Sequence, residues 1–403
     1  MPGAPARASV RHVAATTHAD RLVFRAVLPF CFSLMSQPSV RSADSPSLIF
    51  IGTYTKSGSR GIHALRLDGR TGALTAPQLV AEAANPTFLT LHPNGRVLYS
   101  VCESGMVDGK PGGAVRAYAI DAVTGALSLL NEQRSGGLGL AHLAVDATGH
   151  TLAAVSYGGG YVVAFPLEAG GHVGPRSVLI PQQGPLGPNR ARQNQSHAHC
   201  VTFSPDNRFV LVADLGFDRV FSYRLDPARA LLTPNDPPFI TIEPGTGPRH
   251  SKFSTDGRFF YVLNEIDGSV TACAYDAARG TGTPFQHIST LPAGFLVTDP
   301  DRAAEIHVHP NGRFLYTSNR GHDSIAIFAI AADTGRLTLV EIAPAGGKEP
   351  RNFALSPDGA WLVCAHQYSD TLAVFRVDPA SGRLTLTGGT VSASTPVCVL
   401  FAR

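Results

Sequence analysis

The segment Gly245–His250, GTGPRH, brings an arginine and a histidine to the start of a predicted strand. Its Gly-Thr-Gly-Pro part is typical of a turn, and the following SKFSTDGRFFYVLNE predicts two strands joined by another turn. A guanidinium group can stabilise negative charge on an oxygen atom, and an imidazole can exchange a proton near neutral pH. Because neither group suits an apolar core, this placement favours the mouth of a polar pocket.

Similar polar residues stand at the ends of other predicted strands. SHAH, AAEIH and GKEPRN place them before apolar runs, and YVLNE and YTSNR place them after such runs. Arginines, carboxylates and histidines that converge in a concavity are typical of a site for a polar small molecule. The candidate residues are His197, His199, Arg249, His250, Glu265, Glu305, His307, Arg320, Lys348 and Arg351.

Two of these histidines raise the question of a metal. His197 and His199 alternate along a predicted extended segment, so their side chains are expected to point the same way. Two such histidines can share a metal ion, but a metal site needs a third ligand. The sequence identifies none, and none of the six cysteines is in a CxxC pair. No metal and no cofactor is therefore predicted.

A repeated turn indicates how the candidate residues are positioned. An apolar run, a turn of the Pro-Asn/Asp-Gly type and a second apolar run occur six times, as in LHPNGRVLYSV and LSPDGAWLVCA. These turns are 47–58 residues apart, and a second kind of turn, such as VDPASGRLT, falls between them. Repeats of about 50 residues that each carry four short strands are typical of a β-propeller.

The number of turns predicts the number of blades. The second turn occurs seven times and the first six times, which indicates seven blades with one blade split between the termini. LIFIGTYT near the start and PVCVLFAR at the end would complete that blade and remove exposed sheet edges. The predicted fold is all-β: a seven-bladed β-propeller over residues 46–403, with four-stranded antiparallel blades and a ring closed by the N- and C-terminal strands.

This architecture would gather the candidate residues. The first turn joins the innermost strand of a blade to the second strand. The start of the innermost strand and the end of the second therefore lie at the same end of the propeller. These positions from all blades would surround one opening, so Arg249 and His250 are predicted to face a funnel at the top of the central channel.

Residues 1–45 differ from the rest of the chain. Arg21 and Arg25 precede the short apolar run Ala26–Met35, and a polar segment follows it. The pattern resembles a weak signal peptide with a cleavage point near Ser42 or Ala43; the alternative is a disordered extension. The protein is predicted to be periplasmic if the leader is a signal peptide and cytoplasmic otherwise. No apolar run reaches the roughly 18 residues of a membrane helix.

Charge limits the kinds of partner. The formal net charge of the 403 residues is only +3, and no basic run is interleaved with aromatic residues. This composition argues against a nucleic-acid partner. The expected partner is a small-molecule substrate, and the protein is expected to be a monomer or a weak dimer that does not bind a membrane.

The chain resembles the seven-bladed propeller lactonase family in four segments: QNQSHAHCVTFSPDNRFVLVADLG, GTGPRHSKFSTDGRFFYVLNE, AAEIHVHPNGRFLYTSNRGHDSIAIF and GGKEPRNFALSPDGAWLVCAHQ. That family includes the bacterial propeller-type 6-phosphogluconolactonase and is similar to the fungal carboxy-muconate lactonising enzymes. The resemblance covers about residues 47–403. One departure is AHQ, with His366, where the family pattern has ANQ.

The resemblance implies catalytic roles for four residues. The matching positions are His199, Arg249, Glu265 and Arg320, although His197 could take the place of its neighbour. In a lactone hydrolase, Glu265 or His199 would be the general base, and Arg249 would stabilise the carbonyl oxygen.

The remaining candidates would bind the substrate. Arg320, with Lys348 and Arg351, would hold a phosphate or carboxylate group. His197, His250, Glu305 and His307 are the other substrate-binding candidates.

The implied function is hydrolysis of a sugar lactone, with 6-phosphogluconolactone as the leading substrate. No GxSxG motif is present, so covalent serine catalysis is not predicted. Two alternatives stay open. One is a lactonising enzyme of the muconate type, and the other is a non-catalytic propeller that binds a partner on the same face.

Overall fold

The computed structural model describes residues 46–55, 58–103, 106–107, 110–295, 297–298 and 302–402. The predicted leader over residues 1–45, including Cys31, lies outside the described residues. Within them, the one helical segment is a 3-10 turn, Ala169–Gly171. No helix in this part of the chain is long and apolar enough to cross a membrane.

Strands occur throughout the described part of the chain, separated by turns and loops. The first nine are β1 (Ser47–Thr53), β2 (Gly61–Leu67), β3 (Gln78–Glu82), β4 (Leu89–Leu91), β5 (Val97–Cys102), β6 (Met106–Val107), β7 (Lys110–Pro111), β8 (Ala114–Ile120) and β9 (Leu127–Arg134). The next eight are β10 (His142–Val145), β11 (Thr151–Ser156), β12 (Tyr161–Pro166), β13 (Val178–Pro181), β14 (Ala198–Phe203), β15 (Phe209–Asp214), β16 (Arg219–Asp226) and β17 (Leu231–Thr241).

The second half of the chain continues in the same way. Its first eight strands are β18 (Pro248–Phe253), β19 (Phe259–Asn264), β20 (Ser269–Asp276), β21 (Thr281–Ser289), β22 (Arg302–Val308), β23 (Phe314–Arg320), β24 (Ser324–Ile330) and β25 (Leu337–Pro344). The last six are β26 (Pro350–Leu355), β27 (Trp361–His366), β28 (Thr371–Val377), β29 (Leu384–Leu386), β30 (Val391–Ser392) and β31 (Pro396–Phe401).

These strands form the predicted seven-bladed β-propeller. Six antiparallel blades follow the chain: β4-β5-β8-β9, β10 to β13, β14 to β17, β18 to β21, β22 to β25, and β26 to β29 with β30 beside β28. The seventh blade has the order β31-β1-β2-β3, so the C-terminal strand pairs with the first strand of the described chain, as predicted. The innermost strand of each blade, which is β31 in the seventh blade, contacts the innermost strands of both neighbouring blades. These contacts close the ring around the axis.

The core lies between the blades. All six residues of β11 are buried. Leu152 and Ala154 pack against the preceding blade, whereas Ala153 and Val155 pack against the following one. Successive side chains of a strand point to opposite faces, so a strand that is covered on both faces reads as a continuous apolar run. The cysteines in the described strands follow this pattern and are buried: Cys102, Cys200, Cys273, Cys364 and Cys398.

The repeated turns are held by their own side chains. In the first kind of turn, Ser204 Oγ donates to Asp206 at 2.6 Å and accepts the backbone N–H of Phe209 at 2.9 Å. In the second kind, Asp121 Oδ1 accepts the backbone N–H groups of Val123 and Thr124 at 2.9 and 2.8 Å. Such local hydrogen bonds stabilise the turn geometry and thereby set the strand pairing on both sides.

Tyrosine hydroxyls connect neighbouring blades. The buried Tyr99, Tyr261 and Tyr316, each in the second strand of a blade, donate to carbonyl oxygens in the following blade at 2.8–2.9 Å. Tyr316, for example, donates to Gly382. Trp361 makes the corresponding bond to Gly69 at 3.0 Å, across the boundary with the ring-closing blade.

Replacing Tyr316 by Phe should lower the free energy of unfolding by about 1–2 kcal/mol, because the substitution leaves the carbonyl oxygen of Gly382 without its partner. Urea denaturation at pH 7 measures the change. Tyr368→Phe is the matched control, because Tyr368 is 69% exposed. It should change stability by less than about 0.5 kcal/mol. Equal effects of the two substitutions would contradict a stabilising bond between the blades.

Candidate active site

A polar cavity of about 220 Å³ opens at the end of the propeller where the innermost strands begin. Starts of innermost strands and ends of second strands supply most of its lining, as the blade geometry predicts. The lining residues are Thr87, Phe88, Glu103, Ala141, Tyr157, Arg192, His199, Arg249, His250, Glu265, Arg302, Arg320, Arg351, Asn352 and Val397.

β-Bulges at this end of the innermost strands direct side chains into the cavity. In β18 the pairing shifts between Pro248 and His250, so Arg249 is an extra residue without a partner on β19. The same irregularity leaves His199 unpaired in β14 and Arg351 unpaired in β26. Adjacent residues of a regular strand point to opposite faces, but a bulge redirects one of them. Arg249 and His250 can therefore both line the cavity.

Glu265 is the centre of the arginine cluster. It follows β19 directly and is only 3% exposed. Its Oε1 lies 2.5 Å from Arg192 Nη2, and its Oε2 lies 2.8 Å from Arg249 Nε and 3.1 Å from Arg320 Nη2. The His199 Nε2 is 3.9 Å from the same Oε2. One carboxylate thus joins cations from two strands, β18 and β23, and from the loop between β13 and β14.

The charge state of Glu265 follows from this environment. Burial alone would raise the pKa of the carboxyl group, but Arg320 and Arg249, helped by His199 and Arg192, hold the pKa well below its usual value. The group is therefore an ionised carboxylate whose two oxygens are both occupied by guanidinium groups. This makes it a poor acceptor for a proton from water.

Arg351 has a different environment at the rim. Its Nη2 donates to the Tyr54 hydroxyl at 3.1 Å, and the guanidinium lies 5.4 Å from the centre of the Tyr54 ring. The same hydroxyl donates to Glu103 at 3.4 Å. Among the residues that the structure describes, no carboxylate is within ion-pair distance of Arg351. Its positive charge is therefore available to a ligand.

Three buried histidine rings lie side by side next to the arginines. The ring centroids of His142 and His199 are each 5.2 Å from that of His250, in edge-on contact. Burial is the largest cause that lowers the pKa of all three rings well below the usual value. His199 and His250, which line the cavity, are therefore neutral imidazoles at neutral pH.

Six of the ten predicted site residues line the cavity. They are His199, Arg249, His250, Glu265, Arg320 and Arg351. They include all four residues for which the family resemblance implies a catalytic role. The other four predicted residues do not line the cavity, and the structure gives a physical reason for each.

His197 is held by structural contacts. Its Nδ1 lies 3.0 Å from the carbonyl oxygen of Tyr157, and its Nε2 lies 3.1 Å from Asn194 Oδ1. Its ring also stacks on Tyr157 with a centroid distance of 4.2 Å. Because both ring nitrogens are occupied, the cavity position belongs to His199. Among the described residues, no group of three His, Cys, Asp or Glu side chains could hold a metal ion.

Glu305, His307 and Lys348 also lie off the cavity lining. Glu305 is behind His250 and is 1% exposed. His307, two residues further along β22, contacts the Phe353 ring at a centroid distance of 5.2 Å. Lys348 precedes β26, is exposed and is not among the residues that line the cavity.

Two arginines of the lining were not predicted. Arg192 belongs to the long loop between β13 and β14, and Arg302 is the first residue of β22. Arg192 lies outside the repeated position, whereas Arg302 begins an innermost strand, one residue before the AAEIH segment. The sequence gives one signal for Arg192: it is a charged residue in the loop that leads to β14, seven residues before His199.

The departure from the family pattern lies outside the cavity. The buried His366 ends β27, and its Nε2 is 2.7 Å from the carbonyl oxygen of Ala345. The ring therefore stabilises the segment between β25 and β26, and it does not contact a ligand in the cavity.

Known proteins resemble this chain over nearly the whole propeller. A family model described as lactonase, 7-bladed β-propeller, matches residues 48–401. A Bacillus subtilis protein named 6-phosphogluconolactonase is 36% identical over 352 residues, covering 87% of this chain and 97% of that protein. A Formosa agariphila protein of the same name is 34% identical over 311 residues, covering 76% of this chain and 86% of that protein.

A solved structure shows the same likeness in three dimensions. The Pseudomonas aeruginosa periplasmic gluconolactonase superposes with a TM-score of 0.84 at 34% identity. The match covers 89% of this chain and 99% of that protein.

Replacing Glu265 by Gln should lower the free energy of unfolding by about 3 kcal/mol, because the buried Arg249 and Arg320 and the partly buried Arg192 lose the carboxylate that they share. Urea denaturation at pH 7 measures the loss. The control is Glu82→Gln, which removes a surface pair with Arg60 whose side chains are 66% and 70% exposed. That change should cost less than about 1 kcal/mol.

The stability difference between wild type and Glu265→Gln should depend on pH. The folded protein lowers the pKa of Glu265, so the stabilisation is complete above the unfolded pKa of about 4.3 and is lost as pH falls further. The same denaturation series at pH 7 and at pH 3.5 measures this. A difference that stays constant between the two would contradict the ionic role of Glu265.

Proposed function

The chain belongs to the seven-bladed β-propeller lactonase family, and from this membership we propose that it hydrolyses the ring ester of a sugar lactone. The proposed substrate is 6-phosphogluconolactone, which water converts to 6-phosphogluconate in the cavity. One observation carries this choice. Apart from Arg302, the lining contains four arginines and two carboxylates, which leaves an excess of two positive charges among these groups when the histidines are neutral.

An anionic substrate fits this excess of charge. Arg192, Arg249 and Arg320 share the carboxylate of Glu265, and Arg320 also lies 3.7 Å from Glu349 Oε1. Arg351 has the Tyr54 hydroxyl as its hydrogen-bond partner. A phosphate group can accept two parallel hydrogen bonds from a guanidinium group. We assign Arg351 to the phosphate, because Arg320 is already held by Glu265 and by backbone carbonyl oxygens.

Arg249 is placed to stabilise the oxygen that gains negative charge. Its Nε donates to Glu265, and its Nη1 donates to the carbonyl oxygen of Ala304. Nη2 remains for the carbonyl oxygen of the lactone. A cation that two hydrogen bonds fix before the substrate arrives needs little rearrangement as the oxyanion forms. Such fixed groups lower the activation free energy of the reaction.

Glu265 then has an electrostatic role. Its two oxygens accept hydrogen bonds from Arg192 and Arg249 and form an ion pair with Arg320, and its low pKa makes it a weak base. We therefore assign Glu265 to fixing the arginines and not to accepting the proton of water. The base is a neutral imidazole of the cavity lining.

The reaction proceeds by direct attack of water. The water oxygen forms a bond to the lactone carbonyl carbon while the imidazole takes one of its protons. The bond from that carbon to the ring oxygen then breaks, and the ring oxygen receives a proton and becomes a hydroxyl. The product is an open-chain hydroxy acid that loses its acidic proton to solvent at neutral pH.

The named relatives differ in whether the lactone in their name carries a phosphate group. The B. subtilis relative is named for a phosphorylated lactone, and the P. aeruginosa relative is named for gluconolactone and is periplasmic. A leader over residues 1–45 that acts in export would favour an unphosphorylated substrate. The arginine excess favours the phosphorylated one. A lactone that carries a carboxylate would meet the same arginines.

The wild-type chain should hydrolyse 6-phosphogluconolactone faster than the spontaneous reaction, and Arg249→Met should lower kcat about 100-fold because the oxyanion loses its cation. Product formation is followed at pH 7 beside an enzyme-free sample, with glucono-lactone and a carboxy-muconolactone as further substrates. Arg258→Met, at an exposed turn of the same blade, is the control and should leave kcat unchanged. No acceleration of any lactone would favour a binding protein instead.

Arg351→Met should raise KM for 6-phosphogluconolactone about tenfold or more, because a charge-assisted hydrogen bond contributes roughly 1.5–3 kcal/mol. The KM for glucono-lactone should change less than about threefold, and kcat should change little for both. Steady-state kinetics with the two lactones measures this. Arg383→Met, at a surface pair with Glu341, is the control. An equal rise in KM for both lactones would contradict the assignment of Arg351 to the phosphate.

A further inference from the structure

We propose that His250, held by Glu305, is the general base that activates the attacking water. This inference rests on the proposed function and deepens it, because the family resemblance implies His199 or Glu265 for that role. Glu305 is the positioning residue of the pair, and His250 is the residue that contacts the water.

The hydrogen bonds around Glu305 fix the ring of His250. The His250 Nδ1 lies 3.0 Å from Glu305 Oε1. The carboxylate is itself held, because the Ile306 backbone N–H donates to Oε1 at 2.9 Å and Asn352 Nδ2 donates to Oε2. An ionised carboxylate can only accept, so Nδ1 carries the proton of the neutral ring. Nε2 is left with a lone pair, and His250 lines the cavity.

The two buried glutamates differ in their counter-ions. Three arginines surround Glu265, so its negative charge is already balanced. Among the described residues, no arginine is within ion-pair distance of Glu305, whose side chain is 2% exposed. The negative charge of Glu305 is therefore available to stabilise the imidazolium ion that forms when His250 takes a proton.

His199 lacks such support. Within the described part of the chain its Nδ1 is buried without a hydrogen-bond partner, and its Nε2 is 3.9 Å from the Glu265 oxygen that Arg249 and Arg320 already occupy. No hydrogen bond to a described residue selects one tautomer of this ring. Arg249 and Arg351 disfavour a proton on either ring, but the ring of His250, unlike that of His199, has a carboxylate within hydrogen-bond distance.

The bulge in β18 joins the two chemical roles. Arg249 is the extra residue of this bulge, and His250 follows it directly, yet both line the same cavity. The cation for the carbonyl oxygen and the base for the water thus come from consecutive residues of one strand. Arg249 would act on the oxygen of the carbonyl group, and His250 would act on the water that attacks the carbon of that group.

The proton follows a closed path. Water forms its bond to the carbonyl carbon and gives one proton to His250 Nε2, while Nδ1–H stays bonded to Glu305. When the ester bond breaks, the same Nε2 proton passes to the departing ring oxygen. His250 returns to its neutral form, and no other reactant is needed.

Two substitutions test the pair in the full-length protein with 6-phosphogluconolactone. His250→Gln should lower kcat about 100-fold or more while KM changes less than about threefold. Glu305→Gln keeps the size of the side chain and should lower kcat at least about tenfold, so it tests the pair even where His250→Gln does not fold. His309→Gln, at a buried turn in the blade of Glu305, is the control for loss of a buried histidine and should leave kcat unchanged.

The pH profile separates positioning from a merely structural role. Charged and titratable groups face His250 from all its neighbours: Glu305, His142, His199, Arg351, Glu265, Arg249 and Lys252. Glu305→Gln removes only the charge bonded to the ring, so the imidazolium ion becomes less stable. The acid limb of kcat/KM should therefore move to lower pH, whereas a structural role predicts a lower rate at every pH and an unmoved limb.

The outcomes distinguish this inference from the proposed function. A wild-type protein that accelerates no lactone overturns both. An active wild type whose His250→Gln variant keeps kcat within about threefold overturns the pair alone. The same holds if Glu305→Gln leaves both kcat and the acid limb unchanged.

Discussion

The carboxylate of Glu265 is the interaction on which the site depends. Three guanidinium groups meet at this one buried side chain, and without its negative charge they would repel one another where solvent screens their charges only in part. Arg192 comes from the loop between β13 and β14, Arg249 from the blade of Glu265 and Arg320 from the next blade, so the carboxylate also joins this loop and two blades at the top of the channel. The cluster keeps a net positive charge, which a substrate anion can use.

The propeller supplies the rigidity that this arrangement requires. The strands around the cavity are buried on both faces, and hydrogen bonds from buried tyrosines join neighbouring blades. Bulges at the cavity end of the innermost strands place adjacent residues on the same side without loosening the rest of the strand. The result is a set of cations and neutral imidazoles that is held in place before a ligand arrives, as catalysis by fixed charges demands.

The sequence alone predicted the fold because turns determine it. The seven blades and the split blade follow from counting turns, and Arg249 and Glu265 follow from their positions at strand ends. Where the sequence is a weaker guide, the causes are local. Lys348 is exposed before β26 and off the cavity lining, and Arg192 lies in a loop that has no repeat. The role of Glu265 could not be read from its position, because its pKa depends on arginines that only the folded chain brings together.

The most direct test is a crystal structure of the protein with 6-phosphogluconate, the product of the proposed reaction. The product should occupy the arginine-lined cavity, with a carboxylate oxygen in contact with Arg249, the same carboxyl group facing His250, and the phosphate against Arg351. A product that binds outside the cavity, or inside it with the phosphate at Arg249 and the carboxylate away from His250, would contradict the assignment of the site.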